Sequence, residues 1–570
     1  APKPRVPMAA ALRCLLAVYP RAPVCRQFAT TSDVVSAINP AAWASLPSPS
    51  LLSAEHPHQV RNLLSGKWVD AADSRPIVDP LDGASVFMHV PVTGRDAELE
   101  PFIDNIKTVP RHGLHNPLRN VKRYRMLGEV SARAGAALDD PEVADYFATL
   151  IQRVMPKSKA QALGEVKVTQ DFLSNFSSDN VRFLAKGFSV AGDHDGQTSH
   201  GMRWPYGGVA IVGPFNFPLE IPTLQLMGAL YMGNRPTLKV SSNVSVVMEQ
   251  MIRLLHYVGL PPEDVDMIHC SGHSMGELLE RAQPKMTQFT GSSGTAELLT
   301  KTLEGRIRVE DAGFDWKVLG PDVPTTDGSV AYVAGVCDQD AYACSGQKCS
   351  AQSILIAHVN WLETDLLEMM KSRAAQRSLD DLTVGPVLSH TTENLLEHVT
   401  KLLKLPGSHL LFGGKELDPN THNVPACYGA IEPTAVFVPL QSILSSADAT
   451  RLCTKEIFGP MQVVTSFKDG ELNDVLTLLA SMDAKLTAAV VSSDPHFLHD
   501  VLSQTENGTT YAGLRARTTG APQNHWFGPA GDPRAAGIGS PGAILSTWSC
   551  HREIIHDALL SENDQPPPIS

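Results

Sequence analysis

Short apolar runs alternate with longer amphipathic stretches through the middle of the chain. The runs predicted as buried strands cover residues 208–212, 236–240, 266–270 and 286–290. The stretches 218–233 and 245–258 between them are predicted helices. Strands that alternate with helices imply an α/β fold with a parallel, doubly wound sheet. Ligands bind at the carboxyl ends of the strands in such sheets, so functional residues are expected in the turns that follow each strand.

Other patterns predict the remaining elements. In chain order these are short strands and turns at 56–94, helices at 96–175, a projecting β-hairpin at 183–203, a second α/β unit at 317–525 and a strand at 543–548 before a proline-rich tail. Within the helical region, apolar residues recur every three or four positions over 121–138 and 143–154, as on the buried face of a helix.

Composition places the protein among ordinary globular proteins. The chain has 570 residues, 43% of them hydrophobic and 19% charged, which is enough for several domains. The net charge of -13 argues against a nucleic-acid partner, because phosphate binding needs concentrated Lys and Arg. No run reaches the roughly 18 apolar residues of a membrane span, so no membrane contact is expected. The nine cysteines include no Cys-x-x-Cys pair, which disfavours a zinc ribbon or a disulfide framework, and no metal is expected.

The N-terminal residues have the composition of an organelle-targeting segment. Residues 8–32 contain Arg13, Arg21 and Arg26, several small and hydroxylated residues, and no acid before Asp33. A secretory signal would need a longer uninterrupted apolar stretch. The sequence therefore predicts a transit peptide over residues 1–35, and a tail with a chance excess of arginine is the alternative.

Cys349 is the strongest candidate nucleophile among the cysteines. It lies in a small, polar run between Lys348 and Ser350, where the nearby positive charge is expected to lower its pKa and favour the reactive thiolate. A lone cysteine is more often a small, buried core residue. Cys344, in the same run, is a competing candidate, and the local sequence does not decide between the two.

Three polar residues follow predicted strands. Asn216 lies between two phenylalanines, where its amide can point into a pocket or stabilise its own turn. Ser292, in a Gly-Ser-Ser-Gly turn, opens a helix whose free N–H groups suit a phosphate, although a capped helix start is compatible with the same pattern. Glu310 ends an alternating run beside small residues, and can act as a general base or only as a solvated cap.

Two further patterns are set aside. Residues 537–542 form a Gly-x-Gly-x-x-Gly run, but Pro541 stands where the helix should begin and no βαβ unit follows, so we do not interpret it as a dinucleotide fingerprint. His551 and His556 flank Glu553 at a spacing that does not put both imidazoles on one helical face. A surface or interface helix is predicted there instead of a metal site.

The ordered set of motifs resembles the aldehyde dehydrogenase superfamily from about residue 60 to the C terminus. The motifs are Pro-Phe-Asn-Phe-Pro at 214–218, Leu-Lys-Val-Ser-Ser at 238–242, Phe-Thr-Gly-Ser at 289–292, Glu310 before small residues, Ser-Gly-Gln-Lys-Cys-Ser at 345–350 and Lys-Glu-Ile-Phe-Gly-Pro at 455–460. Within the superfamily, the runs 343–353 and 518–528 are similar to the plant-type Δ1-pyrroline-5-carboxylate dehydrogenases, family 12.

The resemblance implies catalysis by a cysteine thioester. Cys349 matches the nucleophile, which excludes Cys344, and Asn216 matches the oxyanion donor that acts with the backbone N–H of Cys349. Glu310 matches the acid that activates the deacylating water. The Glu-Leu-Gly-Gly-Lys of the family reads Glu-Asp-Ala-Gly-Phe at 310–314, and the stretch from there to Cys349 is longer than usual.

The resemblance also implies two sets of binding residues. Those for the cofactor are Pro214, Phe215, Lys239, Ser242, Gly291, Ser292, Glu456 and Phe458. Those for the substrate are Ser350, Gly520, Ala521 and Phe527. The implied cofactor is NAD. Many NAD-specific members carry an acid three residues after the lysine, and Ser242 at that position leaves room for some NADP use.

The implied architecture is the aldehyde dehydrogenase fold with three parts. These are a Rossmann-like cofactor domain (36–182 and 207–317), an α/β catalytic domain (318–530), and a small β oligomerisation flap with the C-terminal tail (183–206 and 531–570). The implied activity is NAD-dependent oxidation of L-glutamate γ-semialdehyde to L-glutamate, the second step of proline catabolism, by a homo-oligomer (dimer or tetramer) in the mitochondrial matrix. The alternatives are an enzyme for another short acidic aldehyde, such as succinic semialdehyde, and a non-catalytic homologue.

Overall fold

The computed structural model describes residues 39–311, 313–483, 485–520, 525–560 and 565–569. The predicted transit peptide and Ala521 lie outside the described residues. In the described part of the chain no helix is long and apolar enough to cross a membrane.

The first part of the chain consists of short strands followed by four long helices and a short one. Its elements are β1 (His58–Gln59), β2 (Asn62–Leu64), β3 (Lys67–Val69), β4 (Ser74–Asp79), β5 (Asp82–Pro91), α1 (Asp96–Thr108), α2 (Val121–Asp139), α3 (Pro141–Val154), α4 (Lys159–Asn175) and α5 (Asn180–Leu184). Local signals fix the helix starts: the Asp140 carboxylate accepts the first free N–H groups of α3, and the Ser158 hydroxyl does so for α4. The predicted strands and helices are confirmed here.

The predicted hairpin is also confirmed. It consists of β6 (Lys186–Ala191) and β7 (Thr198–Pro205), which pair antiparallel. Every residue of β6 is exposed, whereas β7 has buried positions at Ser199, Gly201 and Pro205, so the open side of the hairpin is the β6 strand.

The first α/β unit follows directly. Its elements are β8 (Gly208–Val212), α6 (Glu220–Tyr231), β9 (Arg235–Lys239), α7 (Val246–Tyr257), β10 (Asp266–Met267), α8 (Gly272–Ala282), β11 (Met286–Thr290), α9 (Ser293–Thr302) and β12 (Ile307–Glu310). The strand order is β12-β11-β8-β9-β10-β2-β3, with parallel pairing from β12 to β10. The predicted parallel sheet is confirmed. The strand predicted at 266–270 ends early because the His269 N–H donates to the Asn62 side chain instead of a neighbouring strand.

The second α/β unit has a sheet of its own. Its elements are β13 (Asp315–Leu319), α10 (Ser329–Tyr342), β14 (Gln352–His358), α11 (Val359–Leu362), α12 (Leu366–Ala374), α13 (Thr392–Leu402), β15 (His409–Phe412), β16 (Thr434–Phe437), α14 (Leu440–Ile443), α15 (Ala447–Cys453), β17 (Met461–Phe467), α16 (Leu472–Ala480), β18 (Thr487–Val491), α17 (Pro495–Leu502) and β19 (Thr509–Ala512). The order is β15-β16-β17-β14-β13-β18-β19, parallel except for β15. Because β13 starts at Asp315, the second sheet begins just before the boundary expected at 317/318.

The C-terminal segment contains α18 (Pro541–Trp548) and β20 (Ser549–His556). The strand predicted at 543–548 is therefore wrong: the Ser540 hydroxyl caps a helix there and Pro541 occupies its first turn. The helix predicted around Glu553 is wrong as well, because this residue lies in β20, which pairs with β7 along its whole length. The strands β20, β7 and β6 form a separate three-stranded sheet.

The glycine run at 537–542 has a packing role. A Cβ atom on Gly537 would lie 2.6 Å from the Trp526 ring, so only glycine fits against this indole. Pro541 is no obstacle to a helix start, because the first helical turn needs no N–H donor at that position. The run does not connect a strand to a helix of the parallel sheet, which agrees with its rejection as a dinucleotide fingerprint.

Candidate active site

The Cys349 loop links α10 to β14 and is fixed by an unusual backbone. Cys344 and Ser345 have φ angles of 56° and 55°, and Gly346 has 66°, so three consecutive residues adopt the left-handed conformation. The Ser345 hydroxyl donates to the Gly385 carbonyl (3.0 Å) and accepts from the Gly385 N–H (2.6 Å). The Gln347 amide binds the same segment, because its carbonyl accepts from the Leu388 N–H at 2.8 Å. This fastening holds Cys349 at the wall of a cavity.

The two candidate cysteines differ in surroundings. Cys349 is partly exposed and lines the cavity, whereas Cys344 is buried and its thiol donates to the Gln161 side-chain carbonyl at 3.4 Å. Of these two cysteines only Cys349 lines the cavity, which favours it as the nucleophile.

Gly346→Ala should destabilise the protein and lower kcat. The left-handed backbone alone costs about 1–3 kcal/mol with a side chain, and a Cβ atom would lie 2.0 Å from the Gly459 carbonyl oxygen. Gly470→Ala is the matched control, because its φ is 86° but its Cβ would meet nothing within 4 Å. Denaturant unfolding and steady-state turnover of both variants test this. Equal losses in the two variants would contradict a role for the close contact with Gly459.

Three acids lie around the Cys349 sulfur. Glu310 ends β12 and is buried beside the Cys349 thiol. Burial raises its pKa to about 7; the adjacent Cys349 thiol opposes this shift and the Asp311 charge adds to it. The pKa of Cys349 is raised well above its ordinary value, first by burial and then by Glu310, Asp315 and Glu456.

The raised thiol pKa corrects the expectation from the sequence. Lys348 is next to Cys349 in the chain, but the charges that act most strongly on the sulfur are the carboxylates of Glu310, Asp315 and Glu456. Glu310 ends β12, Asp315 begins the next strand, β13, and Glu456 belongs to a much later segment, so only the fold brings them to Cys349. The raised pKa of Cys349 disfavours its thiolate form, and Glu310, with a pKa of about 7, is a neighbour able to take up a proton near neutral pH.

Asn216 follows β8, as predicted, and is buried. Its backbone carbonyl accepts from the Lys157 ammonium at 2.6 Å. Lys157 is fully buried, pairs with Glu165 at 3.0 Å, and lies 4.3 Å from the centre of the Phe217 ring. Glu165 in turn accepts the N–H groups of Leu219 (2.8 Å) and the next residue at the start of α6. The Asn216 turn is thus held on both sides by one buried ion pair.

The cavity beside Cys349 has a volume of about 360 Å³. It brings together most of the predicted substrate residues, namely Ser350, Gly520 and Phe527. The cavity is also lined by polar and aromatic residues that the sequence did not identify as substrate residues. These are Gln161, Glu165, Phe217, Glu220, Gln339, Lys348, Arg517, Thr519 and His525. One signal was available: Glu165 falls on the apolar face of α4 with Ala162, Val166 and Thr169, where an acid needs a partner.

Glu220 has a distinct environment in this cavity. Its pKa is raised to about 8 by burial and by the Glu165 charge, while Lys157 and Lys348 act in the opposite direction. Lys348 and Arg517 supply positive charge to the same cavity. The cavity therefore offers cations to a carboxylate, and a carboxyl group whose ionised form a nearby ammonium group would stabilise.

The predicted cofactor residues lie on the first sheet and at its border with the second. Lys239 ends β9. Burial lowers the pKa of its ammonium; nearby Cys270 opposes this shift and Arg75 adds to it. Within the described ranges its ammonium makes no hydrogen bond or ion pair. Ser292 is the N-cap of α9, directly after Gly291, and its hydroxyl lies 3.1 Å from that of Thr295. An unpaired ammonium at the carboxyl end of β9 and a helix N-terminus after β11, the strands on either side of β8, suit the ribose and phosphates of a dinucleotide.

A second group of predicted cofactor residues is contributed by both α/β units. Phe215, which follows Pro214 after β8, packs edge-to-face on Phe458, with ring centres 5.8 Å apart. Glu456 accepts the Gly313 N–H at 3.1 Å, and its pKa is raised to about 8 by burial. Ser242 begins a single 3-10 turn after β9. Within the described residues no group of three or more His, Cys, Asp or Glu side chains could hold a metal ion.

A comparison with known protein families supports the same kind of site. The sequence profile of the aldehyde dehydrogenase family matches residues 124–532, which is most of the chain. The chain belongs to the aldehyde dehydrogenase family. The resemblance seen in the sequence is thereby confirmed.

Individual relatives narrow the comparison. This aldehyde dehydrogenase is 59% identical over 506 residues to the mitochondrial delta-1-pyrroline-5-carboxylate dehydrogenase of Arabidopsis thaliana, covering 89% of this chain and 90% of the relative. Among solved structures it is similar to a variant of the Thermus thermophilus 1-pyrroline-5-carboxylate dehydrogenase, with a TM-score of 0.71, 21% identity, and coverage of 88% of this chain and 93% of that one. It is also similar to betaine aldehyde dehydrogenase of Staphylococcus aureus in complex with NAD+, with a TM-score of 0.74, 18% identity, and coverage of 91% and 99%. These structures confirm the predicted aldehyde dehydrogenase fold.

Proposed function

We propose that this aldehyde dehydrogenase oxidises L-glutamate γ-semialdehyde to L-glutamate with NAD. The observation that carries the proposal is the composition of the Cys349 cavity. The nucleophile candidate shares it with Ser350 and Gly520 and with the cations Lys348 and Arg517, which suit a carboxylate, and with Glu220, which suits an ammonium group. Glutamate γ-semialdehyde is a short aldehyde that carries both charges. The mitochondrial relative named for this activity supports the same substrate.

The proposed chemistry assigns a role to each catalytic residue. Glu310 accepts the Cys349 proton as the sulfur attacks the aldehyde carbon, since it is the neighbouring acid whose pKa of about 7 allows this near neutral pH. The Asn216 amide and the Cys349 backbone N–H donate to the alkoxide oxygen that forms. The nicotinamide, when bound, supplies the hydride acceptor. After Glu310 has released that first proton to solvent, its carboxylate takes a proton from the water that hydrolyses the Cys349 thioester, which releases the acid and the Cys349 thiolate.

The cofactor would lie along the ends of β8, β9 and β11. Lys239 would bind the adenosine ribose, Ser292 with the Gly291 backbone the pyrophosphate, and Glu456 the nicotinamide ribose. Phe458, Pro214 and Phe215 would contact the nicotinamide. Ser242, where an acid would repel a 2′-phosphate, leaves room for some NADP use.

We also propose a homo-oligomer, a dimer or tetramer, in the mitochondrial matrix. The sheet of β6, β7 and β20 exposes Phe188 (46%), Val190 (54%) and Ile555 (61%), and such apolar surface is unfavourable in water unless another subunit covers it. The name of the Arabidopsis relative describes it as mitochondrial, which agrees with the arginine-rich residues 8–32 of this chain.

The alternative substrate is another short acidic aldehyde, such as succinic semialdehyde. It has the carboxylate but no ammonium, so Glu220 would face it without a partner. We expect kcat/KM to be at least about tenfold higher for glutamate γ-semialdehyde, supplied as pyrroline-5-carboxylate, because only this substrate has an ammonium group that can pair with Glu220, and a hydrogen bond between charged groups contributes about 1.5–3 kcal/mol. Steady-state NADH formation with each aldehyde and each cofactor measures this. A preference for succinic semialdehyde, or inactivity with both, would refute the proposed substrate.

A further inference from the structure

A second buried ion pair lies behind the cavity, in the second α/β unit. Lys317 of β13 is fully buried and its ammonium lies 2.8 Å from Asp340 of α10, which is also buried. Neither residue lines the cavity. The pair therefore cannot act on a substrate except through its neighbours.

Asp340 is bound to the chain segment that does line the cavity. One of its oxygens accepts the Thr518 backbone N–H (2.8 Å) and the other accepts the Thr519 hydroxyl (2.9 Å). Thr519 and Gly520 are cavity residues. The guanidinium of Arg517 cross-links the same loop, with donors 2.9 Å from the Thr519 carbonyl and 3.1 Å from the Gly520 carbonyl. We call residues 517–520 the threonine loop.

Asp340 also lies on α10, the helix that leads into the Cys349 loop. It lies in the last turn of α10, which runs directly into the fastened loop of Cys349. The Asp340 side chain thus connects α10, which leads into the Cys349 loop, to the threonine loop. Because Lys317 holds Asp340 from the sheet side, the spacing between the two loops is fixed by buried, charge-assisted hydrogen bonds.

We propose that Asp340, held by Lys317, is a positioning residue that sets the distance from the threonine loop to Cys349 and so selects aldehydes by the position of their carboxylate. The inference rests on the proposed function, in which Gly520 helps to bind that carboxylate. A buried ion pair is a poor source of net stability, because desolvation offsets the attraction. Its use here to hold two loop donors indicates specificity instead.

The charge of the pair fits this role. An unpaired carboxylate behind the threonine loop would repel a substrate carboxylate in front of it. Lys317 neutralises Asp340, so the aspartate can accept two loop hydrogen bonds without that repulsion. An asparagine would keep the shape, but its NH2 group cannot accept from the Thr519 hydroxyl, so that hydrogen bond would have to reverse its direction, and Lys317 would lose its counter-charge.

The test compares a charged with an uncharged aldehyde in the full-length enzyme. For Asp340→Asn we expect kcat/KM with pyrroline-5-carboxylate to fall at least about tenfold, mainly through KM, because small displacements of a positioning group are costly. KM for NAD and kcat/KM with propanal, which has no carboxylate, should stay near the parent values. Asp338→Asn is the matched control: Asp338 is a buried acid on the same helix, paired with Arg377 at 2.6 Å, and lies outside the threonine loop contacts.

Two further variants keep the test decisive if Asp340→Asn folds poorly. Thr519→Val removes only the hydroxyl donor and leaves the ion pair, whereas Thr519→Ser retains the donor and should restore KM. The double variant Lys317→Met with Asp340→Asn removes both charges and should still raise KM for pyrroline-5-carboxylate. The inference is overturned if the ratio of kcat/KM for pyrroline-5-carboxylate to kcat/KM for propanal is unchanged in these variants, or if Asp338→Asn changes that ratio equally.

Failure of the proposed function has a different signature. A parent enzyme with no preference for any acidic aldehyde over propanal overturns the proposed function, and this inference with it. A parent enzyme that prefers an acidic aldehyde, but whose preference survives Asp340→Asn and Thr519→Val, overturns the inference alone.

Discussion

Cys349→Ser should lower kcat for aldehyde oxidation by about 10⁴-fold or more, the order lost when a catalytic nucleophile is removed. The serine hydroxyl is a much weaker acid than the thiol and a much weaker nucleophile, and the buried acids Glu310, Asp315 and Glu456 would oppose its ionisation as they oppose that of the thiol. Steady-state NADH formation measures the loss, and thermal unfolding of the variant checks that the fold is retained.

Cys344→Ser is the matched control. It lies in the same run, is buried, and donates to Gln161, a bond that a serine hydroxyl can also make. Its kcat should stay close to the parent value. Retention of dehydrogenase activity in Cys349→Ser, or a comparable loss in Cys344→Ser, would refute the assignment of the nucleophile.

Local sequence was sufficient to predict the candidate residues that follow strands. Asn216, Ser292 and Glu310 all lie directly after or at the end of strands of one parallel sheet. Their prediction depended on short apolar runs bounded by turn residues, a signal contained in a few consecutive positions. The family resemblance was needed to choose Cys349 over Cys344, because composition alone made both ordinary buried thiols.

The electrostatics of the site could not be predicted in the same way. The sequence suggested a lowered thiol pKa from the adjacent Lys348, yet the carboxylates of Glu310 and Glu456 come from distant segments and raise it. The Lys157–Glu165 and Lys317–Asp340 pairs likewise join different elements. Such pairings depend on tertiary packing, and a single sequence without its fold does not indicate which acidic side chain pairs with which basic one.

The error at the C terminus has a different cause. The run 543–548 is short and apolar, and periodicity cannot separate a buried helix from a strand over so few residues. The deciding signal is Ser540 followed by Pro541, because a capping serine before a proline is typical of a helix start. The strand that completes the three-stranded sheet is the next segment, β20.

Glu310→Gln should lower steady-state kcat by about 10²- to 10⁴-fold, the range for loss of a general base. The glutamine keeps the volume of the side chain but cannot accept a proton from the thiol or from the deacylating water. In the parent enzyme the Glu310 pKa of about 7 predicts that kcat falls as the pH drops below 7, because the protonated acid is no longer a base. Glu310→Gln should lose this acidic limb.

Asp311→Asn provides the matched control for that pH profile. Asp311 is the next acid in the chain, and its charge adds to the raised pKa of Glu310. Removing the charge should leave kcat at pH 8 nearly unchanged and move the acidic limb to lower pH, since Glu310 would then ionise more readily. The profiles of kcat against pH for the parent enzyme and both variants test the assignment. An acidic limb near pH 7 that persists in Glu310→Gln would show that another group is the base.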